Sequence, residues 1–214
     1  DTIYLDGAEG GTGAGPHLAT EETGIPLMAA IPEARRALED VGLIDEIDLV
    51  VAGGIRNGGD VAKCLALGAK AVALGTAALM ALNCNKHIEG VTDYEGTIGV
   101  PAGECYHCHT GRCPVGVATQ DVELRKRLDV EEAALRVYNF LHTLTMEVQL
   151  LARACGKTDI HSLEPEDLAA LTHEASAMAK VPLAGTTYIP GVTEERALQE
   201  MKDLMAKHMA DTGG

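Results

Sequence analysis

Positive charge is the first thing this chain has little of: 17 lysines and arginines stand against 32 aspartates and glutamates, a formal charge of −15. Nucleic acid and anionic bilayers both demand a basic surface, so neither fits as a partner. An anionic small molecule stays open, because it needs only a few local positive groups. Long apolar runs are missing too. Apolar residues make up 46% of the chain, yet no stretch approaches the ~18 consecutive ones of a membrane-spanning helix. No basic, apolar, small-residue leader opens the sequence, so a cytoplasmic location is expected. An initiating methionine is also lacking. The chain starts at Asp1 in a run that already reads as a strand, and we expect a fragment of a longer polypeptide.

What remains is a 214-residue chain, long enough for one sizeable core or for one domain with a helical appendage. Six cysteines could form disulfides in a small secreted protein. A core of this size needs no such staples, and Cys105, Cys108 and Cys113 sit close together beside Gly111 and Pro114. A reduced, metal-binding set is the better reading.

The order of elements points to an α/β fold. Thr2–Leu5 is a short β-prone run, followed by the Gly-rich stretch Asp6–Pro16. Leu18–Thr23 reads as a short helix, Gly24–Ala29 as a doubtful strand, and Pro32–Leu43 as a helix with Pro at its start and Gly42 near its end. Ile47–Ala52 is almost wholly apolar, as a strand buried on both faces should be. Helix Val61–Leu67, strand Ala71–Leu74 and a helix from Gly75-Thr76 to Leu82 complete a βα repeat. Residues 85–103 break the pattern and read as an inserted loop. Three further helices are expected beyond Val122–Leu128. The first is Val130–Cys155, with Ala134, Val137, Leu141, Leu144, Val148, Leu151 and Ala152 on one face. The others are Pro165–Lys180, striped by Leu168, Leu171, Ala175 and Met178, and the charged Glu194–Met209.

Two turns carry the first chemical signal. Gly53-Gly54-Ile55 and Gly75-Thr76 each lie between a buried strand and a helix, about twenty residues apart. In eight-stranded βα barrels such neighbouring turns hold a ligand phosphate: glycine permits close approach, helix-start amides point at the anion, and a Thr hydroxyl adds a donor. Ordinary βα turns that need Gly only for geometry are the alternative. Arg56 would neutralise the phosphate or form a rim salt bridge. The Gly-rich stretch holds Gly10 and Gly11, whose amides suit a close ligand contact; a surface turn is the plain alternative.

The second signal is the cysteine group. Cys105-x2-Cys108-x4-Cys113-Pro114 gathers thiolates in a compact loop ending in Cys-Pro, as an iron–sulfur cluster requires. Zinc held by the three cysteines with His107 or His109 is the competitor. Cys64 and Cys155 fall on helices and read as small buried hydrophobes.

Asp48–Lys63 with Ala71–Leu79 resembles the closing part of the FMN barrel of glutamate synthase. Asp6–Ala14 is similar to that family's Gly-rich flavin-side loop. Cys113-Pro114-Val115-Gly116-Val117-Ala118-Thr119-Gln120 resembles its cluster-binding segment and is the most specific of the three. The later helices resemble stand-alone members, including subunits of methylamine-glutamate enzymes. The resemblance implies the C-terminal part of a (β/α)8 barrel over residues 1–83, an iron–sulfur loop over 84–120, and a helical extension over 121–214.

It also implies FMN, with its phosphate at Gly53, Gly54, Gly75 and Thr76 and with Gly10 and Gly11 near the flavin or substrate. Ile55 and Arg56 of the same turn are counted with the cofactor site from the reading of the turn itself. The implied reaction reduces a 2-iminoglutarate-type intermediate, made from 2-oxoglutarate and a nitrogen donor, to glutamate. Ferredoxin or a reductase subunit would supply electrons, a glutaminase partner could supply ammonia, and an oligomer is expected. By the same resemblance Cys84, Cys108 and Cys113 match the family's three cluster ligands, and Cys105 is an extra thiolate. Four ligands suit [4Fe–4S] and three [3Fe–4S]. The helix from Gly75-Thr76 to Cys84 would set phosphate and cluster about 13 Å apart.

Only three clear strands are present, where a closed barrel needs about eight, so the chain alone is expected to lack a complete active site and activity. Glu9 is the one local acid/base candidate, or else a solvent-facing carboxylate. Competing readings are an electron-transfer subunit without substrate chemistry and an inosine-monophosphate-dehydrogenase-like barrel, which would leave Cys113-Pro114-Val115-Gly116 unexplained.

Overall fold

The apolar run before Gly53 becomes the middle strand of a three-stranded parallel sheet. The computed structural model describes residues 1–11, 16–86 and 108–192, with the isolated positions 194, 198, 199 and 202. Strands β1 (Thr2–Asp6), β2 (Asp48–Ala52) and β3 (Ala71–Ala73) stand in that order. Asp6 pairs with Ala52 and Ala52 with Ala73, so the three strands end level. Parallel strands need crossovers, and helices supply them. Helices α1 (His17–Glu22) and α2 (Leu27–Asp40) join β1 to β2, α3 (Gly58–Ala66) joins β2 to β3, and α4 (Thr76–Ala81) follows β3. This is a mixed α/β fold on a parallel sheet.

The core lies between β2, α2, α3 and a later long helix, α6 (Val130–Ala154), with Val51, Ile31, Ala66 and Val148 almost wholly buried. A short helix, α5 (Val122–Arg125), precedes α6, and α7 (His173–Ala179) comes after it. Among the described residues no helix is long and apolar enough to cross a membrane.

Four expectations need correction. Helix α2 begins at Leu27, so the doubtful strand Gly24–Ala29 is largely helix and Pro32 lies inside α2. Pro32 forfeits one backbone hydrogen bond, but Leu27, Ala30, Ile31 and Leu38 bury a continuous face. That burial decides the helix start. Pro165–Lys180 is not one helix. A 3-10 turn, Pro165–Asp167, leads to a β-bridge between Ala170 and Leu183, and α7 starts afresh where the Thr172 hydroxyl accepts from the Ala175 amide. Leu171, released from the expected stripe, is exposed.

The face of α6 is narrower than expected: Leu144, Val148 and Ala152 are buried as expected and Ala133 joins them, while Ala134, Leu141 and Leu151 are exposed. At the crossing with α3 the contact falls on Leu144, Glu147 and Val148, and Leu144, Val148 and Ala152 share the core with α3. Finally, Cys155 is exposed at the end of α6. Of the other expected elements, residues 87–107 and nearly all of Glu194–Met209 lie outside the described residues.

Cys64 is buried on α3 as expected, and burial together with the nearby Asp60 carboxylate pushes its thiol up to about 12. Near pH ~8 only about one such thiol in ten thousand is ionised, and the thiolate is the reactive form. Alkylation with iodoacetamide, read by peptide mass spectrometry, is therefore expected to mark Cys155 in the native protein. Cys64 should be marked only after denaturant is added.

Candidate functional site

Because the strands end level, the loops after β1, β2 and β3 all leave the sheet along one rim. Ligands of parallel α/β sheets bind at such carboxyl ends. The first two loops interlock. Gly7 donates its amide to the Ala52 carbonyl at 2.9 Å, and Gly10 donates to the Gly7 carbonyl at 2.9 Å. Gly53 has φ +118°, and a side chain there would meet the Gly7 and Gly10 backbone at 3.2–3.3 Å. Gly54, at φ +68°, faces the Glu9 side chain in the same way. The Gly-rich stretch and the turn after β2 thus form one surface, which neither motif displays by itself. Residues 12–15 lie outside the described residues.

The side chains along the rim take up definite tasks. The Asp6 carboxylate lies under the loop and accepts the Gly11 amide at 3.1 Å. Glu9 accepts the Leu27 amide at 2.9 Å, which caps α2 and ties the Gly-rich loop to it. Ile55 buries its side chain in the core, so only its backbone is available to a ligand. Arg56 pairs with Asp60 at 3.3 Å and is largely exposed, the rim salt bridge rather than an inward cation. Gly75 opens α4 with no side-chain cap and with nothing within 4 Å of where its Cβ would stand; Thr76 beside it is exposed.

From that turn α4 leads to the cysteines. It has only six residues, a rise of about 9 Å, shorter than the expected span. Asn83 at φ +71°, with Cys84 donating to the Leu79 carbonyl and Asn83 to the Met80 carbonyl, makes a Schellman end that aims Cys84 out of the helix. Cys84 then packs against buried Cys113 and Val115, with Val117 and Ala118 around them.

The loop that carries Cys113 is well anchored. Gly116 lies so close to α5 that a Cβ would stand 2.4 Å from the Leu124 carbonyl, and Arg127 donates to the Pro114 carbonyl at 2.6 Å. Thr119 hydrogen-bonds the Gly111 carbonyl and Lys86 that of Arg127. Cys108 opens an exposed 3-10 turn, Cys108–Thr110. Cys105, His107 and the His109 side chain lie outside the described residues. Among the described residues no three His, Cys, Asp or Glu side chains converge as metal ligands. Two thiols in a shared apolar pocket do suit the soft, dry surroundings of a thiolate-held group.

A family model described as a conserved region in glutamate synthase matches residues 1–158. The chain belongs to the glutamate synthase family. It is 52% identical over 192 residues to a glutamate synthase large subunit-like protein of Rhizobium meliloti, covering 89% of this chain and 43% of that one. It is 41% identical over 163 residues to an archaeal glutamate synthase (NADPH) of Methanocaldococcus jannaschii, covering 76% and 28%. An archaeal-type glutamate synthase (NADPH) of Thermotoga maritima is 39% identical over 163 residues, covering 76% and 29%. The chain thus spans less than half the length of these relatives.

Two groups that shape this family member's rim escaped the sequence reading: Asp6, and Glu147 of α6, which accepts the Gly58 amide at 2.7 Å. Asp6 borders the Gly-rich stretch and could have been suspected. Glu147 lies 89 residues from its partner, and no local pattern signals it.

Gly53 tests the interlocked rim. Gly53→Ala combines a left-handed φ with backbone crowding and is expected to cost about 1–3 kcal/mol. Urea unfolding of the two proteins measures it; an unchanged midpoint would mean that the loops do not touch.

Proposed function

We propose that this chain carries the cofactor-binding part of a glutamate synthase-type oxidoreductase. The observation that supports it best is the shared rim. The level parallel strands of a glutamate synthase family member bring Gly10 and Gly11, Gly53 and Gly54, and Gly75 and Thr76 to one end of the sheet. On this reading residues 1–83 are the closing strands of a (β/α)8 barrel, 84–120 a cluster loop and 121–214 a helical extension.

The amides of Gly53, Gly54, Ile55 and Gly75 and the Thr76 hydroxyl would hold the FMN phosphate, because they are small, donor-rich and close to a helix start. Gly10 and Gly11 would border the flavin or its substrate. Arg56, engaged with Asp60, would serve the phosphate only as part of the rim's charge. Cys84, Cys108 and Cys113 would hold an iron–sulfur cluster, with Cys105 as a fourth thiolate for [4Fe–4S] and a three-thiolate [3Fe–4S] form without it. Bound in these places, the cluster would relay single electrons and the flavin would deliver a hydride equivalent to the imine carbon of a 2-iminoglutarate-type substrate.

The chain's own part is positional. Its glycine backbones would admit the phosphate, its short α4 links the phosphate turn to Cys84, and its apolar pocket buries Cys113 and covers part of Cys84. Glu9 is committed to capping α2, so it is not assigned proton transfer. 2-Oxoglutarate, a nitrogen donor (ammonia, glutamine or methylamine) and an electron donor such as ferredoxin or a reductase subunit complete the proposal, with a glutaminase partner where glutamine is used. Family membership favours this reading over an inosine-monophosphate-dehydrogenase-like barrel.

Anaerobic purification of the intact protein tests it through iron, sulfide and FMN analysis with the visible spectrum. Iron, sulfide and FMN are expected together, and Cys84→Ser or Cys113→Ser should lose iron and sulfide while FMN stays. Bound zinc with no flavin would overturn the proposal. Turnover with 2-oxoglutarate and each nitrogen donor separates an enzyme from an electron-transfer subunit, which would reduce its cluster but consume no 2-oxoglutarate.

A further inference from the structure

Helix α6 touches both helices that follow the two glycine turns, and it does so at opposite ends. Where it crosses α3, the backbones meet at Gly58. A Cβ on Gly58 would stand 2.4 Å from the Glu147 Cβ, 2.7 Å from the Leu144 carbonyl oxygen and 2.9 Å from the Val148 nitrogen. Nothing larger than glycine fits. At that crossing the partly buried Glu147 carboxylate accepts the Gly58 amide at 2.7 Å, filling the first turn of α3. Eleven residues earlier, about 16 Å back along the same helix, Arg136 donates Nε–H to the Ala81 carbonyl at 3.1 Å, at the end of α4. Each charge has the sign its helix end favours, a carboxylate at an amino end and a guanidinium at a carboxyl end.

We propose that α6 is a clamp that sets the distance between the two glycine turns, and that Glu147 and Arg136 are positioning residues for a phosphate held between them. The inference rests on the phosphate reading of Gly53-Gly54 and Gly75-Thr76 given above and adds to it. The turn after β2 runs straight into Gly58, and the turn after β3 opens the helix whose far end Arg136 holds. Both turns are therefore tied to one helix at points three helical turns apart, and Leu144, Val148 and Ala152 fix that helix in the core around and beyond the Gly58 crossing. A phosphate that must accept amides from both turns depends on their separation, whereas a ligand without a phosphate does not. The carboxylate of Glu147 also occupies the start of α3, which leaves an incoming phosphate the amides of Gly53–Ile55 and the turn at Gly75.

The test compares FMN with riboflavin, its phosphate-free form, as ligands of the intact protein after flavin removal. Glu147→Ala is expected to weaken FMN roughly tenfold, the effect of withdrawing a charged hydrogen bond, and to leave riboflavin unchanged. Glu147→Gln, which still accepts the Gly58 amide, should restore FMN binding to within about threefold of wild type on the same grounds. Arg136→Ala acts at an exposed position, so it reports even where Glu147→Ala fails to fold; a selective loss of FMN affinity is expected there too. Variants that bind FMN as wild type does would overturn the clamp, and so would an equal loss for FMN and riboflavin, the mark of a general structural role. A wild-type protein that binds FMN no more tightly than riboflavin would overturn the phosphate reading itself, and the clamp with it.

Discussion

The register of three parallel strands is the constraint on which the rest depends. Pairing Asp6 with Ala52 and Ala52 with Ala73 makes three loops leave the sheet at one level. The middle strand β2 is held from both faces, with Leu49 and Val51 buried on one and Ala52 on the other, so its position along the sheet is fixed by the packing around it. The hydrophobic core therefore sets the height of the glycine turns. Their chemistry follows from that height and from the absence of side chains at Gly53, Gly54 and Gly75.

Onto this rim the second half of the chain fastens through backbone contacts that leave little slack. Gly58 admits α6 and Gly116 admits α5 at distances that no Cβ would allow. Between them the cysteine loop is closed by Arg127 on the Pro114 carbonyl and Thr119 on the Gly111 carbonyl. The result is that Cys84, at the end of one rim helix, and Cys113, on a separate loop, share one apolar pocket. Burial there favours soft, uncharged or delocalised partners over hydrated ones.

Legibility in the sequence varied with how local the cause was. The strands were readable because apolar runs and glycine pairs act within a few residues, and α3 was readable as a helix although, capped by Asn57, it starts at Gly58 rather than at Val61. The glycine turns and the Cys-Pro segment were readable for the same reason. Pro32 misled because its local cost is outweighed by the face that Leu27, Ile31 and Leu38 bury. Residues Pro165–Lys180 misled because a bridge from Ala170 to Leu183, thirteen positions on, interrupts a stretch of good helical spacing. On α6 the spacing placed Leu144, Val148 and Ala152 correctly, but the buried stripe is narrower than the apolar one, so Leu141 and Leu151 face outward.

The sequence by itself determined the α/β class, the placing of glycine before two helices, the cysteine spacing and the family resemblance, all of which reside in short-range residue identity. Only the tertiary structure decided that the Gly-rich stretch rests on Gly53, that Glu9 serves as a cap of α2, and that Glu147 reaches Gly58. Each of those depends on which backbone segments cross within a few ångströms. That is settled by how the core packs, and no local pattern records it.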